Sequence, residues 1–238
     1  MSLFSLMCKL FPRTIKDYIK FNIGILDHST LLKKPKTDKF YPETIVDIGA
    51  NQGEFSELAE SIYPNSKILM IEPNENYIEM LKHKALRPGI SFCNALLSDS
   101  TVPVYFKKDG TNSSVVLFND EKSVVEINPK LLDDIFFDNS MKGPVLIKID
   151  VQWHEMNVLR GAIHVLKITE VVILEISLIP LHVLAPEPSE IINFFKKEGF
   201  RLYDIFGFNR RPCNKDLWQV DWVFVKNDSI LGAPKLGW

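Results

Sequence analysis

The sequence predicts an α/β fold: one domain on a mostly parallel sheet of about seven strands, with helices on both faces. Three observations carry this. Short apolar runs of strand length alternate with stretches of helical spacing. A glycine pair, Gly49 and Gly53, stands where the first such run meets the first such helix. Two strand-like runs follow each other near the end of the chain, so the last strand is expected to pair antiparallel. The chain has 238 residues, 46% hydrophobic and 24% charged. That is enough to bury a core without disulfide or metal staples.

The elements are expected in this order. Residues 1–40 read as a helical extension with Leu3, Phe4, Leu6, Met7, Leu10 and Phe11 on one face, ending in KKPKTDK as a linker. The domain then occupies 41–238. Thr44–Ile48 is a buried strand, and 54–63 a helix with Phe55, Leu58, Ala59 and Ile62 on one face. Lys67–Ile71 is a second strand, 75–86 a second helix, and 90–94 a third strand. The weaker runs 102–106, 114–117 and Val124–Ile127 break the alternation and are expected beside the main sheet. Val145–Ile149 and 171–175 are buried strands flanking a helix over 154–166. A helix over 189–198 precedes the antiparallel strands 201–206 and 218–226.

Composition excludes several function classes. A net charge of −2 argues against a dedicated nucleic-acid binder. Cys8, Cys93 and Cys213 are odd in number and form no CxxC pair, which argues against a disulfide framework and a cysteine-based zinc site. A reducing cytoplasm is the default expectation. No run of 18 apolar residues suggests a transmembrane helix. The N-terminus lacks the basic region and small-residue cleavage site of a secretory signal. Its apolar face suits packing on the domain or on a partner subunit in a homodimer, with a membrane surface as the alternative.

The most informative stretch is Asp47-Ile-Gly-Ala-Asn-Gln-Gly53. In an open α/β sheet the ligand lies at the carboxyl ends of the strands. Gly49, Ala50, Asn51 and Gly53 form a turn that brings backbone close to a ligand. The spacing is not GxGxxG, and no GxxxxGK[ST] is present, so dinucleotide and triphosphate cradles are disfavoured. Asp47 would repel a pyrophosphate and suit a positive group. Glu72 ends the second strand, where a carboxylate can accept both hydroxyls of a ribose. A ligand with a ribose and a positive charge but no phosphate fits the pair, and S-adenosylmethionine has those properties.

At this point the chain resembles the FkbM-type, S-adenosylmethionine-dependent methyltransferases. The resemblance rests on VDIGANQGEFSELA, IEPN, NALLSD, LLDDIF, LIKIDVQWHEMNVLRGA, VVILEIS, FFKKEGFRLYDI and QVDWVFV, and covers about residues 43 to 226. It implies a class I, Rossmann-like methyltransferase fold, S-adenosylmethionine as cofactor with S-adenosylhomocysteine as product, and a hydroxyl acceptor on a sugar, glycan or small metabolite. One departure stands out: Trp153 occupies a position where the family usually has Gly. An indole there could stack on an acceptor or close the pocket, which keeps open a binding module without turnover.

Candidate chemistry clusters after Val145–Ile149. Asp150 is expected to place the cofactor or the acceptor hydroxyl. His154 is the best proton acceptor by its ordinary pKa of about 6.5, and Glu155 begins the next helix. Asn94 and Asp99 are candidates for the adenine side. Ser113, Ser114, Trp153, Glu175 and His182 are candidates for acceptor contact. Asp150, Glu155, Glu175 and His182 are the groups that would hold a divalent cation, but no spacing signature supports one and no metal is assigned.

Overall fold

The computed structural model describes residues 28–37, 39–119, 122–179 and 182–231. The expected apolar helical face over residues 3–11, and Cys8, lie outside these. The described elements are α1 (His28–Thr37), β1 (Thr44–Ile48), α2 (Glu54–Ile62), β2 (Lys67–Ile71), α3 (Ile78–Lys84), β3 (Ile90–Cys93), β4 (Val104–Lys107), β5 (Ser114–Val116), β6 (Val124–Ile127), α4 (Leu132–Asp138), β7 (Val145–Ile149), α5 (Glu155–Arg160), α6 (Ile163–Lys167), β8 (Thr169–Ser177), α7 (Pro188–Lys197), β9 (Phe200–Arg210) and β10 (Leu217–Lys226). No helix among the described residues is long and apolar enough to cross a membrane.

The main sheet has the strand order β3-β2-β1-β7-β8-β10-β9. Neighbours from β3 to β8 run parallel, while β10 is antiparallel to both β8 and β9. The seven-stranded, mostly parallel sheet with a reversed last strand is the arrangement the sequence predicts. After β3 the chain crosses back to β7, beside β1, so the topological switch point falls between β1 and β7. That is where a ligand cleft opens in such sheets.

Period-two alternation sorts each buried strand onto two cores. Val46, Ile48, Leu69, Ile147 and Leu174 face α4 to α7, meeting Leu132, Val165 and Phe195. Ile45, Ile68, Met70, Leu146 and Ile173 face α1 to α3, meeting Leu32, Phe55 and Leu81. Both faces of the parallel strands are therefore apolar, which is why they read as unbroken hydrophobic runs.

The structure corrects four details of the sequence reading. The KKPKTDK stretch is not a linker over its first part: α1 runs through Lys33–Thr37 despite Pro35. Leu32 is fully buried, Lys36 Nζ donates to the Ile62 carbonyl at 2.6 Å, and Tyr63 Oη donates to the Leu32 carbonyl at 2.6 Å. Tertiary contact with α2 thus outweighs the helix-breaking composition. The second helix starts later, because Glu75–Tyr77 is a 3-10 turn.

The long helix over 154–166 is two short ones. The break comes at Gly161, where a Cβ would lie 2.1 Å from the Ser98 carbonyl oxygen. Asp133 fills the break from α4, accepting from the backbone N–H of His164 at 2.9 Å and of Val165 at 2.8 Å. It thereby satisfies the open amides of α6. Helix α4 itself is absent from the periodicity reading, being only two turns of LDDIFFD. The three weak runs form a separate antiparallel sheet, β5-β4-β6, beside the main one as expected.

Candidate functional site

A cavity of about 650 Å³ opens at the carboxyl edge of β1, β2, β7 and β8. The turn after β1 forms one wall. Gly49 has φ +74°, and a Cβ there would lie 1.8 Å from the Asp150 carbonyl oxygen, so only glycine lets the two strand ends meet. Gly53 has φ +76° and caps α2 without a side-chain hydrogen bond. Gly49, Ala50 and Asn51 line the cavity, whereas Gly53 shapes the turn from behind.

Glu72 lines the cavity and is 6% exposed. Its Oε2 accepts from Asn51 N at 2.9 Å and its Oε1 from Asn74 N at 2.8 Å. Two backbone donors fix the carboxylate, and each oxygen keeps a lone pair for a further donor. Burial raises its pKa, opposed by those two amides.

Asp47 sits elsewhere than the sequence reading placed it. It is fully buried and outside the cavity lining. Ser56 Oγ donates to its Oδ2 at 2.7 Å, and Lys148 Nζ is 3.8 Å from its Oδ1. As a strand-interior residue it points to the α2 face instead of the strand end. Burial raises its pKa, opposed first by Lys148. Asn94 and Asp99 likewise lie outside the cavity lining. Asn94 is exposed, its amide donating to the carbonyls of Glu72 and Pro73 at 2.8 and 3.2 Å. Asp99 is exposed and accepts from Asn157 at 3.3 Å. The chain turns inward between them, so Ala95, Leu96 and Leu97 line the cavity instead.

The far end of the cavity is polar and spans three strands. Lys148 Nζ is 3.0 Å from Asp150 Oδ2, and both residues line the cavity. The carboxylates Asp150 and Asp47 hold the Lys148 pKa above its ordinary value despite burial. Glu175 also lines the cavity; its Oε2 accepts from Gln152 Nε2 at 2.9 Å and Gln219 Nε2 at 3.1 Å. Asp221 stands opposite Glu175 in the β8–β10 ladder and is 6% exposed. Burial, then the Asp150 and Asp221 charges, pushes Glu175 up to about 8. Burial, then Asp150, pushes Asp221 up to about 7.

His154 lines the cavity, its Nε2 lying 3.1 Å from Ser98 Oγ. Burial lowers its pKa to about 4, with Asp99 opposing. The ring is therefore neutral near pH 7, but a weaker proton acceptor than its ordinary pKa suggests. Glu155 is outside the lining. Its Oε1 accepts from the Trp153 N–H at 2.8 Å at the start of α5, and burial pushes it up to about 7. That puts its carboxylate in the first turn of α5, directly after the N-cap His154.

Trp153 has φ +68°, the conformation that explains a glycine at this place. Its indole is outside the lining, stacked on His182 at 4.5 Å and 6° between planes, with Nε1 donating to Ser177 Oγ at 3.2 Å. Trp153 and His182 therefore meet each other instead of the cavity, and the indole does not close it. Ser113 lines the cavity and its Oγ accepts from Asn74 Nδ2 at 3.0 Å; Ser114 is buried in β5 behind it.

Among the described residues no group of three or more metal-binding side chains comes together. Lys148, Gln152, Gln219 and Asp221 escaped the sequence reading as site residues. For Lys148, Gln219 and Asp221 the signal was a charged or amide residue inside otherwise buried strands, as in VLIKI and QVDWVFV; Gln152, in the loop after β7, left no such signal.

Residues 47–202 match the sequence model of the methyltransferase FkbM domain. No curated protein matches. Among solved structures, the chain is similar to magnesium protoporphyrin IX methyltransferase from Synechocystis PCC 6803 with bound SAM, at 13% identity over 84% of this chain and 77% of that one, TM-score 0.47. It is also similar to precorrin-6y C5,15-methyltransferase from Geobacter metallireducens, at 14% identity over 85% and 90%, TM-score 0.44. A third is 1,6-didemethyltoxoflavin-N1-methyltransferase from Burkholderia thailandensis, with bound 1,6-didemethyltoxoflavin and S-adenosylhomocysteine, at 10% identity over 84% and 77%, TM-score 0.47.

Proposed function

The chain belongs to the FkbM methyltransferase family, and from that premise we propose that it transfers a methyl group from S-adenosylmethionine to a hydroxyl of a sugar, glycan or small metabolite. The observation that carries the reading is Glu72. Its carboxylate is buried at the cavity wall, pinned by two backbone amides, with an acceptor site left on each oxygen. A ribose diol is the ligand group with two donors at that spacing. The neighbouring turn supplies backbone without a phosphate-binding glycine pattern, which suits a nucleoside lacking a phosphate.

S-adenosylmethionine would supply a methyl carried on a sulfonium. The chain's own part is to hold and orient. Glu72 takes the ribose, Ala95, Leu96 and Leu97 offer an apolar wall to the base, and Gly49 to Asn51 meet the amino-acid end. Asp150, beside Lys148, can accept a hydrogen bond from a second hydroxyl of the acceptor, next to the one that is methylated. The polar far end, with Gln152, Gln219 and Glu175, favours an acceptor rich in hydroxyls over an apolar one.

The test is incubation of the purified chain with methyl-labelled S-adenosylmethionine and a panel of methyl glycosides, oligosaccharides and small hydroxylated metabolites. Label on oxygen, with one S-adenosylhomocysteine released per methyl, is the expected result. Label on nitrogen or carbon only, or none with any acceptor, overturns the hydroxyl reading.

A further inference from the structure

The reading above leaves open which group takes the acceptor's proton; among the catalytic candidates Asp150, His154 and Glu155, the sequence made His154 the best proton acceptor. The geometry points to Glu175: we propose that its Oε1 accepts the proton of the acceptor hydroxyl during transfer. This deepens the proposed function and rests on it.

The carboxylate is held asymmetrically. Both neighbouring amides, Gln152 Nε2 and Gln219 Nε2, converge on Oε2. Oε1 meets no donor among the described residues, and Glu175 lines the cavity. One oxygen is therefore anchored and the other is available to a ligand. The two anchoring residues come from different elements, the loop after β7 and strand β10, so the orientation does not depend on one loop.

The competing candidates are otherwise engaged. Glu155 is outside the cavity and spends Oε1 on the Trp153 amide. Asp150 is bound to the Lys148 ammonium, which lowers its appetite for a proton. Burial leaves His154 a weak base, at about 4.

Glu175 is surrounded on every side by groups that favour its protonated form or only partly oppose it. Lys148 faces it from β7, Asp150 and Gln152 from the loop that follows, and Asp221 and Gln219 from β10. Burial and the two carboxylates raise its proton affinity, against the Gln152 hydrogen bond and the Lys148 charge. A group poised near the working pH makes an effective general base. In the step, the acceptor's O–H bond breaks. Its proton goes to Oε1 and its electron pair forms the new O–CH3 bond, while the pair of the broken C–S bond stays on sulfur. The proton later passes from Glu175 to solvent.

The experiment has two arms. In the first, the ligand-free protein labelled with [δ-13C]glutamate is titrated by NMR. One carboxyl signal, absent from Glu175→Gln, should titrate within about a unit of pH 8; titration of that signal near its ordinary value overturns the proposal. In the second, Glu175→Gln should bind S-adenosylhomocysteine within about twofold of the parent. With whichever panel acceptor the parent methylates, its kcat should fall at least about 100-fold, and the rise of kcat toward pH 8 should vanish. Glu175→Asp should restore part of the rate with a pH-dependent limb. Turnover of Glu175→Gln within about threefold of the parent overturns the proposal and leaves the methyltransferase reading intact, and so does loss of S-adenosylhomocysteine binding. A parent that methylates no hydroxyl overturns both.

Discussion

The two ends of the cavity are built by different means. At the β1–β2 end, the geometry is made of backbone: a turn with two left-handed glycines, and a carboxylate pinned by the amides of Asn51 and Asn74. At the β7–β8–β10 end it is made of side chains from separate strands, with a single buried lysine among Asp47, Asp150, Glu175 and Asp221. The first end is a mould set by chain conformation. The second is a set of proton affinities set by neighbours. The difference teaches that a substitution at the first end should act through shape and at the second through pH.

The largest expected effect breaks the mould. In Gly49→Ala the new Cβ meets a backbone oxygen that cannot rotate away, on top of the cost of a positive φ. A loss of about 3–5 kcal/mol is expected, lowering Tm by roughly 10 °C. Gly53→Ala has the same sign of φ, but its Cβ meets flexible side chains, Leu81 and Lys84 at 3.1 Å and Met70 Sδ at 3.4 Å. It should cost about 1 kcal/mol. Thermal unfolding of both variants checks the difference; equal losses would mean the Asp150 contact yields easily.

The second effect belongs to the carboxylate end. Glu175, Asp221 and Glu155 have folded-state pKa values raised to about 8, 7 and 7. An unfolded chain gives up those protons near pH 4 to 4.5, so the folded state binds more protons and loses stability as pH rises from there toward 8. His154 works the other way: its value is lowered to about 4, so its contribution is lost as pH falls below about 6.5. Three groups outweigh one between pH 6 and 8. The ligand-free chain should lose on the order of 3 kcal/mol over that span. Urea unfolding at both pH values tests this, and Glu175→Gln should flatten the slope. A chain equally stable at both would remove the basis of the contrast.

How far each end was legible in the sequence follows from how it is made. The strand alternation, the seven-stranded sheet, the separate small sheet and the antiparallel close were all readable, because period-two burial and helical spacing leave marks in every element. Gly49 and Glu72 were readable because a turn that needs glycine and a strand-ending acid are local signals. Asp47 misled because the residue before a strand's end looks like one at the end; a one-residue step turns it to the α2 face. Asn94 and Asp99 misled because no periodicity foretells the inward turn between them. Gln219 and Asp221 were invisible as site residues because they lie some 45 residues beyond Glu175 and reach it only through the β8–β10 pairing. The expected basicity of His154 failed for a related reason: an intrinsic pKa says nothing about burial.

Smaller effects sharpen the contrast. Removing the amide in Gln152→Ala takes away a hydrogen bond that favours the ionised Glu175. The rise of kcat with pH should move to higher pH, with activity at pH 7 reduced about threefold; an unmoved profile would mean that Gln152 does not act on Glu175. Trp153→Gly should change least. It relieves a positive φ, worth about 1 kcal/mol, but gives up the His182 stack, worth about 0.5–1.5 kcal/mol. Stability should stay within about 1 kcal/mol and turnover within about twofold. A large gain in turnover would show that the indole does obstruct the acceptor.

The central claim is that the cavity holds an adenosyl ligand by its ribose on Glu72. Calorimetric titration of the chain with S-adenosylhomocysteine, with NAD as control and Glu72→Ala beside it, tests this most directly. Losing two charge-assisted hydrogen bonds should weaken S-adenosylhomocysteine at least about 100-fold in the variant, with no binding of NAD to either. A folded chain that ignores S-adenosylhomocysteine, or binds it equally well without the Glu72 carboxylate, would contradict the account.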